Sequence, residues 1–181
     1  MKNNSVVRRM TFDALMLALL CVIGMFSIPL GPNIKVSLQL LGVMIVCFLV
    51  EGVADAIIIN GCYLGIGMFL PVYAGFSANI TPTWGFVLGF VLAAPVYYFI
   101  ARIPKLPRAL AMAIAGVVGT LVVYAAGTIF MMLYLGWGLG ETLLVAVVPY
   151  LPFDAGKIAL AILLLYALPK LISSQGCMGK K

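Results

Sequence analysis

The sequence contains no histidine. That removes the commonest metal ligand and general base, and it excludes a histidine-based hydrolase or protease. Acidic residues are nearly as scarce, with five Asp and Glu in 181 residues, and charged residues of all kinds make up only 9%. A soluble domain carries about 25%. The four cysteines, Cys21, Cys47, Cys62 and Cys177, match no metal-binding spacing and no C-x-x-C pair, so they imply neither a disulfide framework nor a metal centre. The phosphate-loop pattern G-x-x-x-x-G-K-S/T is absent, as are G-x-S-x-G and H-E-x-x-H. ATP use through a P-loop and these forms of hydrolysis are therefore excluded. No internal repeat is evident, which argues against many secondary-transporter folds.

What the sequence has is apolar length. Hydrophobic residues make up 65% of the chain, mean hydropathy is +1.21, and runs of near-spanning length recur from end to end. The reading is an all-α integral membrane protein, one domain over 1–181. The runs are continuous, whereas a membrane barrel needs short alternating segments. Six helices are expected, over about 10–28, 36–50, 54–70, 83–101, 109–135 and 142–168. The basic start followed by an apolar run resembles a signal peptide, but no clean small-residue cleavage site follows, so it reads as a retained first helix. Proline and glycine punctuate the turns at "SIPLGPN" and "GWGLGE".

The net charge of +6 follows topology rather than nucleic-acid binding. With the N-terminus inside, Lys2, Arg8, Arg9, Arg102, Lys105, Arg108, Lys170, Lys180 and Lys181 fall on the cytoplasmic side and only Lys35 outside. Both termini are then cytoplasmic. The turn "VEGVADA" carries Glu51 and Asp55 on the basic side, but acidic residues count little in topology. The second helix is short: about 15 residues rise ~22 Å against a hydrocarbon core of ~30 Å. That leaves room for irregular backbone lining a cavity, which the charge-free loop "PVYAGFSANITP" is placed to roof.

Within "PYLPFDAGKIALA", Asp154 and Lys157 share a helix face. They read either as a self-neutralising ion pair or as a polar site inside the bundle, and the adjacent Pro149 and Pro152, which free backbone groups, favour the second. Lys35 and Gln39, four apart at the start of the second helix, read as an anion seat or as an interfacial lysine beside a solvated amide. Asn79, Trp84 and Phe86 follow the third helix, as a polar group with pocket walls or as part of an interfacial belt. Small residues four apart occur at Ala111, Ala115 and Gly119, where internal packing is expected, and at Ala14 and Ala18, where internal packing and a partner surface are equally open.

Taken in order, "ALMLALL", "SIPL", "VSLQLL", "YLGIGMFLPVYAG", "TPTWGFVLGF" and "PYLPFDAGKIALA" resemble the substrate-binding S-components of energy-coupling-factor (ECF) vitamin transporters, and among them the biotin branch. The resemblance runs from about Ala14 to Lys170. It implies a six-helix S-component in a prokaryotic plasma membrane that performs no bond chemistry and needs no cofactor or metal. The helix-1 face at Ala14 and Ala18 would dock a membrane coupling protein, which works with two ABC-type ATPases. Asp154, Lys157 and Asn79 would meet biotin's ureido ring, and Gln39 with Lys35 would face its carboxylate. Trp84, Phe86 and Tyr150 suit the apolar body between. The chain departs from the family at Trp84, where Gly is usual, in a shorter loop before it, and in an acidic turn after helix 2. The alternatives are another carboxylate-bearing vitamin such as lipoate, or a membrane scaffold or enzyme.

Overall fold

A computed structural model describes the backbone of residues 2–29 and 35–175 and the side chains of 6–28 and 36–166. The expectations placed on Cys177, Lys180 and Lys181, and on the side chains of Lys2, Lys35 and Lys170, lie outside the described residues.

The order is α1 (Lys2–Met25), β1 (Ser27–Pro29), β2 (Lys35–Ser37), α2 (Gln39–Leu49), α3 (Val53–Gly67), α4 (Trp84–Ile100), α5 (Arg108–Leu135), α6 (Leu139–Ala146) and α7 (Leu151–Gln175). The core gathers on α2, which is buried almost throughout. A helix apolar on every face is stable only when neighbours surround it; α1, α3, α4 and α7 all pack against this one.

Two expectations are corrected at the helix ends. Residues 27–28 and 36–38 were expected to be helical, but Ser27–Pro29 and Lys35–Ser37 pair as an antiparallel hairpin in the register Ile28 opposite Val36. Pro29 cannot donate to a helix and biases Ile28 before it toward extended backbone. Lys35 and Gln39 therefore do not share a helical face: Lys35 opens a strand and Gln39 is the first residue of α2. The expected sixth helix is also two helices, α6 and α7, bent by 50°. Pro149 disfavours a helical Val148 before it, while Pro152 is tolerated in the first turn of the new helix. The break puts Asp154 in the first turn of α7, where the helix dipole favours a carboxylate.

Among the described residues α5 alone is long and apolar enough to cross a membrane, and the bent pair α6–α7 counts as a second if read as one span. Helices α2, α3 and α4 have 11, 15 and 17 residues, or ~16–26 Å. Gly136 ends α5 in the left-handed region at φ 69°, its N–H bonded to the Met132 carbonyl at 2.9 Å.

One end of the bundle is basic. Arg9 of α1 holds Asp55 of α3 at 3.0 and 2.7 Å, and Asp55 also accepts the Gly52 N–H at 2.9 Å, closing the start of α3. This gives Asp55, one of the two acidic residues in the "VEGVADA" turn, its partner. Arg102, just after α4, donates to the Cys47 and Phe48 carbonyls at the end of α2, at 3.2 and 3.3 Å. These are carbonyls that a helix end leaves without intrahelical donors.

Helices α4 and α5 make the most extensive contact, through small residues. Ala111, Ala115 and Gly119 are all buried, so this face packs internally. A Cβ on Gly119 would run into the Tyr97 ring, whose hydroxyl bonds Thr120 at 3.2 Å. Gly119→Val is expected to cost about 1–3 kcal/mol by overpacking, read as a lower melting temperature of the purified protein. A neutral result would mean that the two helices do not approach this closely.

Candidate functional site

At the end opposite Arg9 and Arg102, three helices begin around one cavity of about 560 Å³. Gln39 opens α2, Trp84 opens α4, and Asp154 sits in the first turn of α7. All three line the cavity, with Lys157, Phe86 and Tyr150. The loop between α3 and α4 forms part of the wall through Tyr73, Ala74, Ser77 and Thr81, as expected of that charge-free segment. Left-handed backbone at Gly75, Phe76 and Asn79 shapes the loop, and its Gly75 N–H is anchored to the Met25 carbonyl at 3.1 Å.

The polar floor is a buried pair. Lys157 Nζ donates to Asp154 Oδ1 at 2.6 Å, and the two residues are 7% and 5% exposed. The Tyr124 hydroxyl of α5 donates to the other carboxylate oxygen. A buried carboxylate held by one ammonium and one phenol is neutralised and keeps lone pairs for a further donor, while Lys157 keeps further N–H groups for an acceptor. The floor can thus meet a flat group carrying both N–H and C=O. The side walls are apolar, with Leu40, Val87, Phe90, Val123 and Met131. A cavity of this size with a few convergent polar groups is the usual form of a small-molecule site.

Gln39 is 5% exposed and donates through Nε2 to the Tyr63 hydroxyl at 2.7 Å, which in turn donates to the Val72 carbonyl at 2.9 Å. The chain of bonds fixes the amide and ties α2 and α3 to the loop. Asn79 stands apart: it is exposed, lies at φ 69°, gives its backbone N–H to the Gly67 carbonyl at 3.2 Å, and is not among the cavity-lining residues. Lys35 reaches the same end of the bundle through β2. Ala14 and Ala18 do not line the cavity; they lie exposed on α1, beside exposed Leu15, Leu19 and Val22.

Tyr124 and Tyr63 were not anticipated as polar members of this region. The signal available was a phenol deep inside an apolar run, whose hydroxyl must find a partner once buried. Among the described residues no group of three or more His, Cys, Asp or Glu is placed to hold a metal ion.

The BioY family matches the chain over residues 1–174. The biotin transporter BioY of Thermotoga maritima is 30% identical over 171 residues, spanning 91% of this chain and 98% of that protein. The biotin transporter BioY of Rhodobacter capsulatus is 32% identical over 127 residues, covering 66% of this chain and 67% of its own length. Among solved structures, the 2.1 Å crystal structure of the S-component for biotin from an ECF-type ABC transporter superposes with a TM-score of 0.79 at 24% identity, covering 94% of this chain and 95% of the other. The mostly helical architecture is therefore that of an ECF S-component.

Proposed function

The chain belongs to the BioY family, and from that premise we propose that it is the biotin-binding S-component of an ECF-type importer, a multi-pass protein of a prokaryotic plasma membrane. The observation that carries this reading is the buried Asp154–Lys157 pair on the floor of the cavity. Biotin's ureido ring presents two N–H donors and one carbonyl in a plane. Asp154 accepts from the ring and Lys157 donates to its carbonyl. The apolar bicycle and chain lie against Trp84, Phe86 and Tyr150. The carboxylate faces the end where Gln39 and Lys35 sit, at the uncapped start of α2.

Six segments span the membrane in this proposal, with α6 and α7 as one broken span and the hairpin and loop filling the outer end where α2, α3 and α4 fall short. The basic end, with Arg9, Arg102 and Arg108, faces the cytoplasm, so the cavity opens outward. The exposed small face of α1 at Ala14 and Ala18 is the surface offered to a membrane coupling protein and, through it, to two ABC-type ATPases. The protein binds and delivers; it makes and breaks no bond.

The rival ligand class is a vitamin such as lipoate, which has a carboxylate tail but no ureido ring. Competition by biotin, desthiobiotin and lipoate against bound labelled biotin separates them. Biotin and desthiobiotin are expected to displace the label; lipoate, offering nothing for Asp154 to accept, is not. Displacement by lipoate at the same concentrations would mean that the floor pair does not read the ring.

A further inference from the structure

A second cavity, of about 330 Å³, opens at the basic end of the bundle, where α4 turns into α5. Its wall includes the buried Phe48 and Met112 and the turn residues Arg102, Ile103, Leu106 and Arg108. The sequence makes the opening cationic. The turn "RIPKLPR" carries Arg102, Lys105 and Arg108, and no Asp or Glu occurs from Phe99 to Gly140. The acids at the same end, Asp13, Glu51 and Asp55, do not line the cavity, and Asp55 is already held by Arg9.

The two arginines of the wall are differently employed. Arg102 is fixed in place: its terminal nitrogens donate to the carbonyls of Cys47, Tyr98, Phe48 and Val50, and its guanidinium lies 3.8 Å over the Tyr98 ring. Arg108 is exposed and has no ion-pair partner among the described residues, so its planar fork is open to an oxyanion. Burial, and further the charge of Arg108, push the Arg102 pKa down; an anion between the two guanidiniums relieves that repulsion. Arg108 also begins α5, a helix start with no side-chain cap, which adds its dipole to the field. The surroundings say what kind of anion fits. Ile103 in the wall is exposed, and so are Phe99 on α4 and Leu110 and Ile114 on α5, just inside the turn. An anion that carries its own apolar chains satisfies both halves of this junction. Basic pockets between helices at the cytoplasmic face take anionic lipid headgroups for the same reason.

We propose that this cavity binds the phosphate of an anionic phospholipid of the cytoplasmic leaflet, with Arg108 as its free donor and Arg102 as its fixed charge, and so staples the turn between α4 and α5. This rests on the membrane orientation given above and is independent of what the outer cavity binds. The test uses the full chain in detergent, stripped of lipid, with dioleoyl phosphatidylglycerol and dioleoyl phosphatidylcholine as probes and native mass spectrometry to count bound lipid. Phosphatidylglycerol is expected to bind about tenfold more tightly than phosphatidylcholine. Arg108→Gln should weaken phosphatidylglycerol about tenfold or more, the scale of a hydrogen bond to a charged group. Arg8→Gln, which removes the same charge from an exposed position on α1, should leave it within about twofold. The melting temperature of Arg108→Gln without added lipid should match the wild type, since an exposed side chain with no ion-pair partner is lost. Inorganic phosphate at the same concentrations should not displace the lipid. Equal binding of the two lipids, or equal losses in Arg108→Gln and Arg8→Gln, would overturn the proposal by showing only a diffuse basic surface. Displacement by inorganic phosphate would overturn it in favour of a soluble anion. A chain that stays soluble and monodisperse once detergent is removed would instead remove the membrane reading on which the proposal rests.

Discussion

Asp154→Asn is expected to abolish measurable biotin binding, a loss of at least about 100-fold, because the cost of leaving a buried partner charge unpaired is about 3–5 kcal/mol. Lys157, 7% exposed, would keep its ammonium with no counter-ion, and the side chain nearest the ureido ring would no longer be the strong acceptor that two N–H groups require. Lys157→Ala should do the same from the other side, leaving the Asp154 carboxylate with only the Tyr124 hydroxyl. Loss of binding alone would not distinguish recognition from collapse of the bundle. The paired variant Asp154→Leu with Lys157→Met does. Replacing a buried ion pair with apolar groups of similar size is often neutral or stabilising, so the melting temperature should match or exceed the wild type. Biotin binding should still be absent by calorimetry. If the paired variant binds biotin, Asp154 and Lys157 serve only to neutralise each other.

The second large effect concerns transport rather than binding. Ala14 and Ala18 are exposed on α1 and contribute nothing to the cavity. Ala14→Leu with Ala18→Leu widens a face on which close helix approach depends on small residues. The purified variant is expected to bind biotin within about twofold of the wild type, since no buried group changes. Biotin uptake by cells that also express the coupling module should fall about tenfold or more. Normal uptake would place the docking surface elsewhere.

Much of the fold was legible because apolar runs and their punctuation are one-dimensional signals. The positions of α3, α4 and α5 follow from them, whereas a shared pocket for Gln39, Trp84, Phe86, Tyr150, Asp154 and Lys157 was implied by the family resemblance, and all six line one cavity. The hairpin was missed because Ser27–Pro29 and Lys35–Ser37 are too short to show an alternating pattern beside long apolar runs; only their pairing makes them strands. The break at Pro149 was visible as a residue, yet a proline inside an apolar run is also compatible with a kinked helix. Its consequence, a second helix start beneath Asp154, required the backbone. Asn79 does not line the cavity, for a related reason. Its polarity suggested a ligand contact, while its left-handed φ of 69° turns on the geometry of a loop that sequence spacing does not encode. Tyr124 went unnoticed because its role depends on α7 passing beside α5, a contact thirty residues away in the chain.

The most direct test of the account is a calorimetric titration of biotin into the purified full-length chain in detergent, with no other subunit present. The account predicts saturable one-to-one binding at micromolar biotin or tighter, a free energy of about −8 kcal/mol or more favourable. A flat titration at those concentrations, from protein shown to be folded and free of bound biotin, would contradict it.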